Sequence, residues 1–426
     1  MKKILFYLAI SLFSRVILFS QNVEYAQATI DTLTSPYFEG RGYVNNGDLR
    51  AAKYIASEYK KFGATPFFET GYFHPFVLSV NTFPENVGIY DQNLMPGKDY
   101  IVSPDCPSAF YESFLPVFLT NDILTNKRLF KSFLKTNWHE KILVIDTIEK
   151  TESNKLLLSK ILSKYPYTIH IEIVKDLTWS VSRTKSSTGI FYVLPGKIDR
   201  KNELSIKVNA KFIQAYESQN VVGKIIGSEV PDSFVFITGH YDHLGRMGQN
   251  TYMPGANDNA SGIAMLLDMM HNYSVNKPRY TVVFIAFGAE EAGLVGSYYF
   301  VKELQDFINK DKIRFVINMD LMGTGQEGIM AVNGSVYEKE FVMLDSINKN
   351  NQYLPAVKKR GKAANSDHYF FSENGIPAFF FYLMGPYAYY HEVDDNSENL
   401  RLEQKSYDGS FMLINDFTRW LMHQSH

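Results

Sequence analysis

Six side chains able to bind cations or move protons stand beside apolar runs. His240 follows FVFIT and Gly239, Glu290 and Glu291 follow YTVVFIAF, Asp320 follows IRFVINM, and His391 follows Ala378 to Leu383 through the loop PYAYY. Asp258 lies in the glycine-containing segment GANDNASG. Two imidazoles and four carboxylates are a donor set that suits zinc, which takes three protein ligands and keeps one position open in catalytic sites. Adjacent carboxylates after a buried strand are costly to desolvate without a cation. Five ligands cover two ions if one carboxylate bridges, leaving one Glu free as a base, and two metals about 3.5 to 4 Å apart activate water for hydrolysis. Asp242, two residues after His240, shares its side if the strand continues and can fix its tautomer. The alternative, four unrelated polar strand ends, leaves the paired carboxylates unexplained.

The elements that position these groups follow from the runs. Phe234 to Thr238, Tyr280 to Phe287, Ile313 to Met319 and Ala378 to Leu383 are predominantly apolar and rich in aromatic and β-branched residues, as strands buried on both faces of a parallel sheet are. Their carboxyl ends are where open α/β sheets hold ligands. Gly239 is read as ending the first strand, and IAMLLDMM as a buried helix beginning near Ser261. The fold class expected is α/β, with a mixed, mostly parallel central sheet flanked by helices and an inserted, smaller β-rich domain.

The blocks GHYDHLG, GANDNASG, FGAEEAGLVGS, INMDLMG, NSDHYFF and YYHEVDDNSENL, in this order, resemble the signature blocks of the M28 family of zinc aminopeptidases, over about residues 25 to 75 and 218 to 420. The resemblance implies one zinc on His240, Asp258 and Asp320 and a second on Asp258, Glu291 and His391, with Asp258 bridging. It also implies Glu290 as general base, Asp242 as partner of His240, and Tyr390 as a hydroxyl that steadies the oxyanion. The implied reaction is hydrolysis of the first peptide bond of peptides with a free amino terminus by metal-activated water. HEVDDNSENL also resembles a single-zinc branch that cyclises glutaminyl peptides, where one zinc replaces two; Tyr390 stands where that branch often has Trp. A non-catalytic binding protein on the same fold is the third reading.

Elsewhere the chain is read in four parts. Residues 1 to 20 begin with two lysines and run apolar, resembling a secretory signal and implying export to a periplasmic or extracellular site, with no stable membrane anchor after its removal. Residues 21 to 80 carry two helices, Val23 to Leu33 and roughly Asp48 to Phe62, that pack on the catalytic part; between them FEGRG places Arg41, read as a structural salt bridge. Residues 81 to 217 read as short strands resembling a protease-associated insert. Residues 218 to 426 form the catalytic domain, with closing helices near Gly296 to Asn309 and Leu402 to His423. His368 is read as structural, and His243 as a surface residue or a support for the site. The single cysteine, Cys106, excludes an internal disulfide, and a net charge of −2 gives no case for nucleic acid or anionic membranes as partners.

Overall fold

The computed structural model describes residues 22–424 except 147 and 150, so the segment read as a secretory signal lies outside the described residues. Two sheets organise the chain. In the larger, the strands Tyr280–Phe287, Val230–His240, Ile313–Met319 and Ala378–Met384 lie side by side and parallel. Antiparallel strands flank this group, Lys211–Ile225 on one edge and Gly328–Val332 on the other, so the sheet is mixed and its centre parallel, as expected.

Side chains alternate across a strand, and here both faces are covered. Val235, Ile237, Val282, Phe284 and Ala286 join a core with helices Val23–Leu33, Gly47–Lys61, Gly262–Val275 and Gln404–Met422. Phe236, Val283, Ile285 and Phe287 face the opposite core with Val295–Phe307 and His368–Glu373. Burial on both sides explains why these runs carry no polar alternation.

The first strand does not end at Gly239. It continues through His240, because Gly239 and His240 pair with Ala286 and Phe287. Gly239 serves a close approach instead: a Cβ there would stand 2.8 Å from the Met319 carbonyl oxygen.

The second sheet has seven strands, from Val87–Tyr90 to Tyr100–Val102 at its edges, and its centre is again parallel, from Ala109–Thr120 through Lys141–Asp146 and Ile169–Ile173 to Gly189–Val193. Strands dominate it, with three helices that the sequence reading did not place: Asn121–Thr125, Lys127–Phe133 and Glu152–Leu162. A long antiparallel ribbon, Phe73–Thr82 against Lys211–Ile225, joins the two sheets. Cys106 packs in the second core, where burial pushes its thiol up to about 12. No described helix is long and apolar enough to cross a membrane.

Candidate metal centre

The parallel strands deliver their ends to one cleft of about 240 Å³ whose lining includes His240, Asp258, Glu290, Glu291, Asp320 and Tyr390. His240 is the last strand residue and is buried. Its Nδ1 lies 3.2 Å from the Asp242 backbone carbonyl, and its Nε2 lies 3.3 Å from Asp258 Oδ1 and 3.4 Å from Asp320 Oδ1. A carbonyl can only accept, so Nδ1 carries a proton toward it, and Nε2 is the ring atom turned toward the two carboxylates.

The same pattern recurs at the other imidazole. His391 Nδ1 is 3.0 Å from the Trp179 carbonyl oxygen, while Nε2 lies 3.1 Å from Asp258 Oδ2 and 3.3 Å from Glu291 Oε2. Asp258 therefore offers one oxygen to each histidine. The structure thus brings His240, Asp258, Asp320, Glu291 and His391 to one point, with Glu290 and Tyr390 on the same cleft.

Asp242 arrives differently from its expected route. The strand has ended, so the two-residue period does not apply; its carboxylate accepts from the backbone N–H groups of Glu290 (3.0 Å) and Glu291 (3.3 Å) and stands 3.8 Å from His240 Nδ1. It ties the His240 turn to the Glu pair, and the carbonyl of the same residue orients the imidazole.

Three non-glycine residues in these turns adopt left-handed backbone: Ala289 (φ 56), Leu321 (φ 56) and His391 (φ 57). Each costs on the order of 1 kcal/mol, a strain that concentrates at functional sites. The Asp258 loop is braced from two sides. Asp395 accepts from the N–H groups of Asn257 (2.8 Å) and Asp258 (3.2 Å) and from the Tyr387 hydroxyl (2.8 Å), so it ties this loop to the one that carries His391. Arg41, fully buried, donates to five backbone carbonyls, of Leu33, Tyr241, Pro254, Gly255 and Asp258, at 2.6 to 3.2 Å. The salt bridge expected of it does not form. FEGRG reaches that depth because Gly42 lies against Gly245, where a Cβ would come within 2.4 Å of the Gly245 Cα.

Charge balance shows what the site lacks. Burial would lower the pKa of His240, but Asp320 and Glu290 hold it well above its ordinary value. Burial pushes Glu290 well above the carboxylate range, reinforced by Asp367 and Glu291 against the opposing pull of His240, and Asp242 rises to about 8 for the same first reason. Asp258 goes the other way: burial would raise it, and hydrogen bonds from His240 and His391 hold it well below. Asp320 Oδ1 and His243 Nε2 are buried without a hydrogen-bond partner. Uncompensated carboxylates and orphaned donor atoms around a common point are what divalent cations satisfy. Two groups have donor atoms all within 4.8 Å of one another, His240 with Asp258 and Asp320, and His243 with Asp258 and Glu291.

Two further buried residues of the site carry no mark in the sequence. His243 is not on the surface: it is fully buried, with Nδ1 2.8 Å from Glu291 Oε1. Asp367, just before the helix His368–Glu373, is a buried carboxylate with neither oxygen hydrogen-bonded, lifted by burial to about 7. No local signal separates His243 from an exposed residue, because a loop has no period from which burial can be read. His368 lies against the Phe380 ring, its nitrogens unpartnered, and burial lowers it to about 4.

Residues 220–413 match peptidase family M28. Aminopeptidase YwaD of Bacillus subtilis is 29% identical over 231 residues, half of this chain and 47% of its own. A glutamate carboxypeptidase 2 homolog of Caenorhabditis elegans is 29% identical over 255 residues, 57% of this chain and 28% of its own. The chain thus spans under half the length of each of these relatives. Among solved structures, the zinc aminopeptidase BSAP from Bacillus subtilis superposes with a TM-score of 0.63 at 17% identity, over 93% of this chain and 94% of its own. The aminopeptidase from Aneurinibacillus sp. strain AM-1 gives 0.60 at 19%, over 93% of both chains.

Proposed function

Given that residues 220–413 match peptidase family M28, we propose an exported di-zinc aminopeptidase that removes the first residue of peptides with a free amino terminus. The observation that carries this reading is the matched orientation of His240 and His391. Each imidazole is pinned at Nδ1 by a carbonyl and turns Nε2 toward a different oxygen of Asp258. His240, Asp258 and Asp320 would hold one zinc, and Asp258, Glu291 and His391 the other. His243 braces Glu291 through Nδ1 and is no ligand in this scheme.

When bound, zinc supplies Lewis acidity that polarises a carbonyl and lowers the pKa of water to about 7. Glu290, which would be a carboxylate once cations offset the neighbouring charges, takes the proton of the attacking water and passes it to the leaving amine. The Tyr390 hydroxyl, held in its protonated form by partial burial and the neighbouring Asp258 and Glu291, donates to the carbonyl oxygen as negative charge develops. Asp242 keeps the Glu pair in register through its two backbone contacts. Residues 81 to 217 form an insert beside the substrate cleft: Lys175 to Thr178 line a neighbouring cavity of about 570 Å³ that shares Tyr390 with it. Residues 1 to 20 serve as the export signal.

The test is zinc per chain together with cleavage of aminoacyl-arylamides and cyclisation of a glutaminyl peptide. We expect about two zinc ions and arylamide cleavage, and Glu290→Gln that keeps its zinc but loses about 10²- to 10⁴-fold in kcat. One zinc with cyclisation alone would place the chain on the cyclase branch, and near wild-type kcat in Glu290→Gln would remove the base role.

A further inference from the structure

The segment VKKRGK, residues 357 to 362, runs along the sheet edge beside the cleft. Two of its cations are spoken for: Lys359 pairs with Glu338 at 2.5 Å, and Lys362 pairs with Glu373. Arg360 is different. It lines the same 240 Å³ cleft as the metal-site carboxylates, its Nη1 contacts the Tyr382 hydroxyl at 3.4 Å, and among the described residues no carboxylate pairs with its guanidinium.

On the di-zinc reading above, on which this inference rests, the charges of Asp258, Glu290, Glu291 and Asp320 are balanced by two dications, and Arg360 remains as the uncompensated charge of the cleft wall. Asn365 and the Tyr382 hydroxyl add neutral donors, and Leu321 and Phe380 add apolar surface. We infer that this wall receives the side chain of the substrate's first residue and selects an acidic one, glutamate or aspartate, whose methylenes lie on the apolar surface while Arg360 takes the carboxylate. A planar guanidinium binds a carboxylate through two parallel hydrogen bonds, which an uncharged amide of the same shape cannot match. A cleft of this volume holds one side chain, so the carboxylate is that of the first residue rather than the far terminus of a longer peptide.

The experiment compares kcat/KM of the zinc-loaded protein for glutamyl-, glutaminyl-, leucyl- and lysyl-arylamides, which carry no terminal carboxylate. Glutamyl and glutaminyl side chains have the same shape, so their ratio isolates the charge, and being internal to one preparation it is insensitive to the active fraction. We expect a glutamyl-to-glutaminyl ratio of at least about tenfold, equivalent to about 1.4 kcal/mol, falling toward one in Arg360→Gln and inverting for lysyl against glutamyl in Arg360→Glu. Cleavage with a ratio of one or less in the wild type overturns the inference and leaves the peptidase standing, as does a ratio unchanged by Arg360→Gln. A dipeptide cut faster than its amide, with no glutamyl preference, also overturns it by moving the carboxylate to the other end. Absence of cleavage of every substrate overturns the aminopeptidase reading itself.

Discussion

At the scale of single residues, Arg41 shows how a charge can be used without an opposite charge. Burial lowers its pKa to about 10, with Asp395 and Asp258 acting against that fall, so the guanidinium stays a cation while its hydrogens go to carbonyls of the loops around Asp258. A buried acceptor left without its donor costs about 1 to 3 kcal/mol. Arg41→Met should therefore destabilise the fold by at least about 3 kcal/mol in urea unfolding and reduce bound zinc. Arg41→Lys should recover little, since an ammonium has three donors and no planar fork. Wild-type stability in Arg41→Met would show that the carbonyls find other partners. The difference from the ligand positions is instructive. His240, Glu290, Asp320 and His391 were legible because each terminates or closely follows an apolar run. A sequence displays the cation at 41 but not the five carbonyls it will meet, some of them more than 200 residues away.

At the scale of elements, the four parallel strands were legible because burial on both faces leaves few polar residues inside the runs. The helices of the second sheet were not: Asn121–Thr125 and Lys127–Phe133 are too short to show a period, and the helical spacing of Leu157, Leu158, Ile161 and Leu162 in Glu152–Leu162 stands alone among β-rich runs. Helix packing around the central sheet makes its own prediction. Asp268, on Gly262–Val275, accepts from the Tyr407 hydroxyl of Gln404–Met422 at 3.0 Å and from the Asn22 N–H, just before Val23–Leu33, at 3.3 Å. Burial nevertheless raises it to about 6. An unfolded Asp titrates near about 3.9. Between those values the folded chain holds a proton the unfolded chain has released. The contribution of this group is therefore most favourable below about pH 4 and declines as pH rises to about 6, by up to about 3 kcal/mol. Asp268→Asn should flatten that part of the stability profile. Urea midpoints at pH 4, 5 and 6 check it, and an unchanged slope would rule Asp268 out as its source.

At the scale of the whole molecule, the second sheet reaches into the metal centre through Trp179. Its backbone exchanges two hydrogen bonds with His391: its N–H donates to the His391 carbonyl at 3.0 Å, and its own carbonyl receives Nδ1–H at 3.0 Å. The indole anchors this segment by donating Nε1–H to the Val102 carbonyl at 2.8 Å. Trp179→Ala removes that anchor; it should lower stability by about 3 to 5 kcal/mol and weaken zinc retention about 10- to 100-fold against a chelator. Trp179→Phe, which keeps the packing, should fall between the two. Equal zinc retention in all three would mean that the His391 carbonyl contact does not govern the metal. Thr82 and Lys211 sit opposite one another in the ribbon, so the chain leaves for the second sheet and returns from it at neighbouring points. A short turn could therefore replace everything between them without stretching the central sheet. Such a shortened chain would keep every acid of the centre and lose the carbonyl at His391 Nδ1, leaving that ring oriented by Asp258 and Glu291 alone.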